Sequence, residues 1–234
     1  MKTAARATQE MDYEAEGSQS SELTIPSIEN AGPSWRQRTF EIVFALTAMV
    51  LSLPFMAIIA LLIRWDTPGP VLFFQQRVGR NGQLFRFVKF RTLYADARER
   101  FPELYAYRYS PQELADLKFK LTPDPRVTRC GVWLRRTSLD ELPNFWNILT
   151  GDMALVGPRP EIPEMLQYYR GEMLLKFSVR PGITGLAQTR GRGRLKFYDT
   201  VQYDLECVRR RSFLFDLKIL LRTIKMVAFR DGAF

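Results

Sequence analysis

No histidine occurs anywhere in the 234 residues. Its absence removes the usual general base near neutral pH, every Ser-His-Asp arrangement and every His-based metal site. Any chemistry falls to carboxylates, lysine, tyrosine and arginine. Cysteine is scarce as well: Cys130 and Cys207 form neither a close-spaced pair nor a zinc pattern, and read as small apolar residues in a reducing compartment. The chain has no Walker loop, and its charged start leads into polar sequence, unlike a signal peptide. Charge is unevenly distributed: in the first 34 positions Lys2 and Arg6 face six carboxylates for a net −4, and the remainder carries +13. With few large apolar groups, segment 1–34 reads as a disordered acidic tail.

What the chain has in excess is arginine and one apolar run. Ile42 to Ile63 is a stretch of 22 residues without a charge. At about 1.5 Å per residue it is long enough for a hydrocarbon core of roughly 30 Å. Pro54 divides it into two pieces, each too short to cross alone, and a bend there gives a hairpin that enters and leaves on one side. Ser52 is the nearby hydroxyl that would serve the carbonyl of Val50, freed by the proline. Arg36, Arg38 and Arg64 flank the run and place both ends in the cytoplasm. A single kinked span is the alternative.

The segment TSLDELPNFWNILTGDMALVGPRP, Thr137 to Pro160, sets adjacent carboxylates, Asp140 and Glu141, among arginines. Pro143 cannot lie deep in a helix, so the helix holding Asn144 to Leu149 begins close to Leu139 or Asp140. The pair then sits at a helix N-terminus, where the dipole keeps Asp140 ionised and favours a phosphate beside it. Capping is the plain alternative, since Ser138 and Glu141 have the spacing of a capping box. The surroundings favour chemistry: Arg135 and Arg136 precede the pair, and Arg159 follows between two prolines, with the planar fork that suits phosphate oxygens.

Val71 to Val78 and Gln83 to Phe90 read as two strands joined through Arg80-Asn81-Gly82, a β-hairpin. Continued alternation would put Lys89 and Arg91 on one side of the second strand, aimed together. Ala95 to Lys120 reads as a surface helical insert. In RPGITGLAQTRGRGR, Pro181-Gly182 and Gly185 signal tight turns able to bring backbone N–H groups to a ligand. Phe213 to Phe229 is an amphipathic helix suited either to a membrane interface or to core packing. Asp204 and Asp216 are candidate metal ligands, and Arg192 a further candidate substrate contact.

Taken together, RTSLDELPNFWNILTGDMALVGPRP, WDTPGPVLFFQQRVGRNGQLFRFVKFRT, RPGITGLAQTRGR and DLKILLRTI resemble the bacterial sugar transferases of the monotopic polyprenyl-phosphate phosphoglycosyl transferase type. The resemblance covers about Trp35 to Phe234. It implies a mostly helical α+β fold, a re-entrant membrane helix-break-helix at 35–64, and a cytosolic catalytic domain at 65–234 on the inner membrane of a bacterium. It also implies Asp140 as nucleophile, Glu141 as partner in holding Mg²⁺, and Lys89 and Arg135 in the active site. The implied partners are a UDP-sugar, undecaprenyl phosphate and inner-membrane lipids; a homodimer is left open. Family members usually break the membrane helix at Ser-Pro, whereas here Leu53 precedes Pro54. They also continue GRN where this chain has Gly191-Arg192-Gly193. A basic membrane-anchored scaffold, for instance for nucleic acid, is the competing class. The Asp140-Glu141 pair argues against it, because carboxylates repel nucleic-acid phosphate.

Overall fold

The computed structural model of the protein describes residues 25–26, 32–118, 121, 123–191 and 194–228. Most of the acidic tail, Arg192 and Phe229 therefore lie outside the described residues. Ile25, from the tail, packs against the core beside Val78.

The Ser34 hydroxyl caps the first helix by accepting from the Gln37 amide at 3.2 Å, and α1 then runs from Trp35 to Asp66. The sequence predicts two pieces, but the helix is continuous through Pro54. The Ser52 hydroxyl donates to the Met49 carbonyl at 3.0 Å, one residue away from the Val50 carbonyl that the proline leaves unmatched. Glu41, Ala45, Ile59 and Ile63 are buried, and Ala48, Ser52 and Met56, between them on the same face, are half-buried. These positions recur at three- and four-residue spacing, so one stripe of α1 lies on the protein from end to end. The opposite face leaves Leu46, Val50, Leu51, Phe55, Ile58 and Leu62 exposed.

Both ends of α1 are tied to the same body. Near its start, the Arg38 fork donates to the carbonyls of Ile148 and Leu149 at 2.7 and 3.0 Å, and Glu41 forms a buried ion pair with Arg180 at 2.7 Å. Near its finish, Ile59 and Ile63 pack with Phe90 and Leu134, and Asp66 accepts from the Cys130 amide at 2.9 Å.

The hairpin forms as the sequence predicts. β1 (Leu72–Val78) and β2 (Leu84–Phe90) pair antiparallel from Leu72 opposite Phe90 to Val78 opposite Leu84. Asn81 and Gly82 take positive φ of 55° and 76° in the turn. The expected insert is largely irregular: its described residues form two short α-helices, α2 (Ala97–Arg100) and α3 (Pro111–Asp116), with a 3₁₀ turn at Pro102–Tyr105 between them. Then come α4 (Arg129–Thr137), a 3₁₀ segment Leu139–Asn144 and α5 (Phe145–Thr150). β3 (Ala154–Val156) pairs in parallel with β4 (Gly182–Thr184). Three helices close the chain: α6 (Leu186–Gly191), α7 (Phe197–Arg209) and α8 (Phe213–Ala228). Strands are few and short, so the described residues are mostly helical with a small β-hairpin. α8 is amphipathic as expected; Asp216 and Ile219 face inward while Leu214, Leu217, Leu221 and Ile224 are exposed.

The hairpin is the hub of the core. Phe85 and Phe87 join one apolar cluster with Ile148, Leu155 and Ile219; Val78 joins a second, with Tyr169 and Phe197; Phe90 joins the cluster under α1. Asn147 holds the free edge of β2 in place of a third strand. Its Oδ1 accepts from the Val88 amide at 3.2 Å and its Nδ2 donates to the Arg86 carbonyl at 2.9 Å. Asn147→Leu should therefore lower stability by about 1–3 kcal/mol, the cost of leaving a buried backbone group unpaired. A urea melt in detergent that shows no loss would mean that α5 does not hold the strand edge.

Candidate active site

Three elements deliver the site's charges. The face of the hairpin that carries Phe85 and Phe87 also carries Lys89, and register places Arg77 opposite Phe85 on that face. Ser138 ends α4 in the left-handed region, at φ 60°, which turns the chain sharply so that Leu139–Asn144 can start as a 3₁₀ turn against β2. Pro143 sits inside that turn, and Asp140 and Glu141 fall in its first residues, at the helical start that the sequence predicts. The capping box does not form: Ser138 makes no side-chain cap bond, and Glu141 instead accepts from Arg159 at 2.9 Å.

Arg159 is fixed by a crossing of backbones that only glycine allows. The Gly157 amide donates to the Thr184 carbonyl and the Gly182 amide to the Pro158 carbonyl, each at 2.9 Å. A Cβ on Gly182 would lie 2.1 Å from the Gly157 nitrogen. The turns around Gly182 and Gly185 thus serve this crossing, and the Gly182 N–H is taken up by the Pro158 carbonyl. On the far side of Pro160, the Glu161 carbonyl accepts from the Val78 amide at 2.8 Å, tying the loop to β1.

Asp140 is only 7% exposed. Burial, with the charge of Glu141 beside it, pushes its carboxyl above the usual range, while Lys89, Arg159 and Arg135 pull it back. The helix start does not hold Asp140 easily ionised, contrary to expectation, because shielding from water and the neighbouring carboxylate oppose it. Lys89 shows the complementary effect. Burial pushes its amine down to about 8, against the raising influence of Asp140, and the Arg135, Arg77 and Arg159 charges lower it further. Glu141 holds Arg159 firmly charged.

Of the sequence candidates, Asp140, Glu141, Lys89, Arg135 and Arg159 come within mutual electrostatic reach. Arg135 is held by Thr92 Oγ1 and Asp124, both at 3.1 Å. Arg91 does not join them. β2 ends at Phe90, so alternation lapses, and the buried Arg91 guanidinium donates to the Pro68 and Thr67 carbonyls at 2.6 and 2.7 Å, clamping the turn after α1. Asp204 and Asp216 are also elsewhere. Asp204 is the fully buried partner of Lys176 at 3.1 Å, and Asp216 accepts from Gln37 at 2.8 Å. Among the described residues no group of three Cys, Asp or Glu side chains forms a metal cluster.

Two residues at the site escape sequence reasoning. Arg77 donates to the Pro160 carbonyl at 3.0 Å, and burial pushes it down to about 10. Glu161 accepts from the Tyr169 hydroxyl at 2.9 Å and lies 3.5 Å from Lys176. Hairpin register was the available signal for Arg77, since it fixes which β1 residues share a face with Lys89. Glu161 carries no such signal.

The Lys89 amine should titrate near 8 by nitrogen NMR. In Asp140→Asn the midpoint should move down, because the removed carboxylate favours the charged amine. An unchanged or raised midpoint would mean that the two groups do not face each other.

The family model described as "Bacterial sugar transferase" matches residues 33–230. Among curated proteins the chain is similar to a "UDP-galactose-lipid carrier transferase" of Erwinia amylovora, 40% identical over 85% of this chain and 41% of that protein. It is 42% identical to an "Undecaprenyl-phosphate glucose phosphotransferase" of Komagataeibacter xylinus, over 82% of this chain and 36% of that one. The chain thus spans about two fifths of these longer relatives. It is also 35% identical to the "Exopolysaccharide production protein ExoY" of Rhizobium meliloti, over 85% of this chain and 88% of that protein. With a family match over nearly the whole length, and with the SLDELP carboxylates standing among Lys89, Arg135 and Arg159, the chain belongs to the bacterial sugar transferase family.

Proposed function

We propose that the protein transfers a sugar 1-phosphate from a UDP-sugar to undecaprenyl phosphate, giving a polyprenyl diphosphate sugar and UMP. This would be the first step in assembling an exopolysaccharide, capsule or O-antigen. The observation that carries the reading is Asp140, a buried carboxylate within electrostatic reach of cations from three separate elements.

Two anionic substrates repel each other, and a divided reaction avoids bringing them together. An Asp140 oxygen attacks the β-phosphorus of the UDP-sugar; the bond from that phosphorus to the bridging oxygen breaks, and UMP leaves with the oxygen. The aspartyl phosphosugar is then attacked at phosphorus by an oxygen of undecaprenyl phosphate, which displaces the carboxylate. Lys89 and Arg159 offset the charge that develops on the phosphoryl oxygens, and Arg135 adds to the same field. The donor set suits Mg²⁺, which takes hard oxygens from one or two carboxylates and the rest from phosphates and water. Asp140 and Glu141 would hold it, and it would neutralise the diphosphate.

The ties at both ends of α1 support a membrane placement as well. A helix with both ends pinned to one body, at Arg38 and Glu41 and again at Ile63 and Asp66, is poorly suited to crossing a bilayer with that body on one side. We infer a shallow arrangement, with the exposed face of α1 in lipid and the catalytic body cytoplasmic. A cysteine at Ser20 should stay unlabelled from the periplasmic side, and labelling would show a spanning helix.

The chemical reading is tested by supplying membranes with a panel of UDP-sugars and undecaprenyl phosphate. One donor should release UMP, and Asp140→Asn should lose at least about 10³-fold in rate, as expected for loss of a covalent nucleophile, with an unchanged melt. Release of UDP would instead indicate glycosidic bond formation. A variant within tenfold of the parent would remove Asp140 from the nucleophile's role.

A further inference from the structure

A basic cavity lies between α6, α7 and α8, and it shares no lining residue with the Asp140 site. Its volume is about 310 Å³. Arg190, Arg210, Lys218 and Arg222 line it together with one carboxylate, Glu206. Arg210 is occupied: it donates to Glu206 at 2.6 Å and lies 5.2 Å from the centre of the Phe215 ring. Among the described residues Arg190, Lys218 and Arg222 have no carboxylate in contact, so the cavity holds an excess of positive charge. Its inner wall is apolar, from Leu186, Phe215 and Ile219.

The location decides what that charge meets. Leu214, Lys218 and Arg222 are four residues apart and form one row along α8, at the edge of the cavity. The neighbouring row, Leu217, Leu221 and Ile224, is apolar and exposed. Cations in a recess beside an exposed apolar row match a molecule with a phosphate at one end and acyl chains at the other. We propose that this cavity binds the phosphate headgroup of one anionic phospholipid, whose chains lie along the exposed apolar row of α8. Arg190 and Arg222 supply guanidinium contacts to the phosphate and Lys218 a point charge. The site would fix the rotation of α8 in the interface and make docking selective for anionic bilayers.

The test uses the full-length protein in detergent, with phosphatidylglycerol or phosphatidylcholine added and the bound lipid counted by native mass spectrometry. The parent should retain one phosphatidylglycerol in preference to phosphatidylcholine. Lys218→Gln with Arg222→Gln, both exposed positions, should reduce that retention by roughly tenfold or more, as for losing two charge-assisted contacts. Arg209→Gln with Lys225→Gln removes the same charge outside the cavity and should retain the lipid. Equal loss in both double variants would reduce the effect to general electrostatics and overturn the site. Equal retention of phosphatidylcholine, or full displacement by millimolar inorganic phosphate, would overturn the lipid assignment. A raised KM for undecaprenyl phosphate in the cavity variant, equal in neutral and anionic bilayers, would assign the cavity to the substrate instead.

Discussion

Burial of Asp140 next to Glu141 is the constraint around which the molecule is arranged. Two adjacent carboxylates shielded from water repel, and one of them takes up a proton unless cations stand close. Lys89 comes from β2 and Arg159 from the loop after β3, so neither can answer unless the hairpin and the β3–β4 crossing are held rigidly. Asn147 secures the first by pairing with the edge of β2. The close approach of Gly157 and Gly182 secures the second. Behind the loop, the buried group of Glu161, Tyr169, Lys176 and Asp204 braces the residue that follows Pro160. A buried ion pair contributes little net stability over apolar packing.

On the proposed membrane placement, the same body would also set how the protein meets lipid. The α1 stripe from Glu41 to Ile63 rests on the core, and the opposite face is apolar and exposed. Trp133 and Trp146, on α4 and α5, are exposed as well, and tryptophan favours the boundary between water and lipid. These helices adjoin the turn that carries Asp140, so exposed tryptophans flank the carboxylates on both sides in sequence.

Much of this was legible in the chain. Asn81-Gly82 and the flanking alternation gave the hairpin to within a residue, because turn chemistry and period are local properties. The apolar face of α8 and the helical start at Leu139 were local for the same reason. Arg91 was misplaced because alternation says nothing about where a strand stops; one residue past Phe90 its side chain turns back to Thr67 and Pro68. Asp204 looked like a ligand because its partner, Lys176, is 28 positions away and only the packing of α7 joins them. α1 also runs unbroken through Pro54, where the sequence divides the apolar run into two pieces.

The central claim is that Asp140 carries the sugar phosphate between donor and lipid. It is tested most directly by quenching the enzyme with acid in the presence of its UDP-sugar and no lipid acceptor, then locating added mass in the digested protein. The account predicts a phosphosugar on the peptide containing Asp140, discharged when undecaprenyl phosphate is added before the quench. An active enzyme that releases UMP only when the lipid is present, with no adduct at any time, would contradict it and indicate direct transfer.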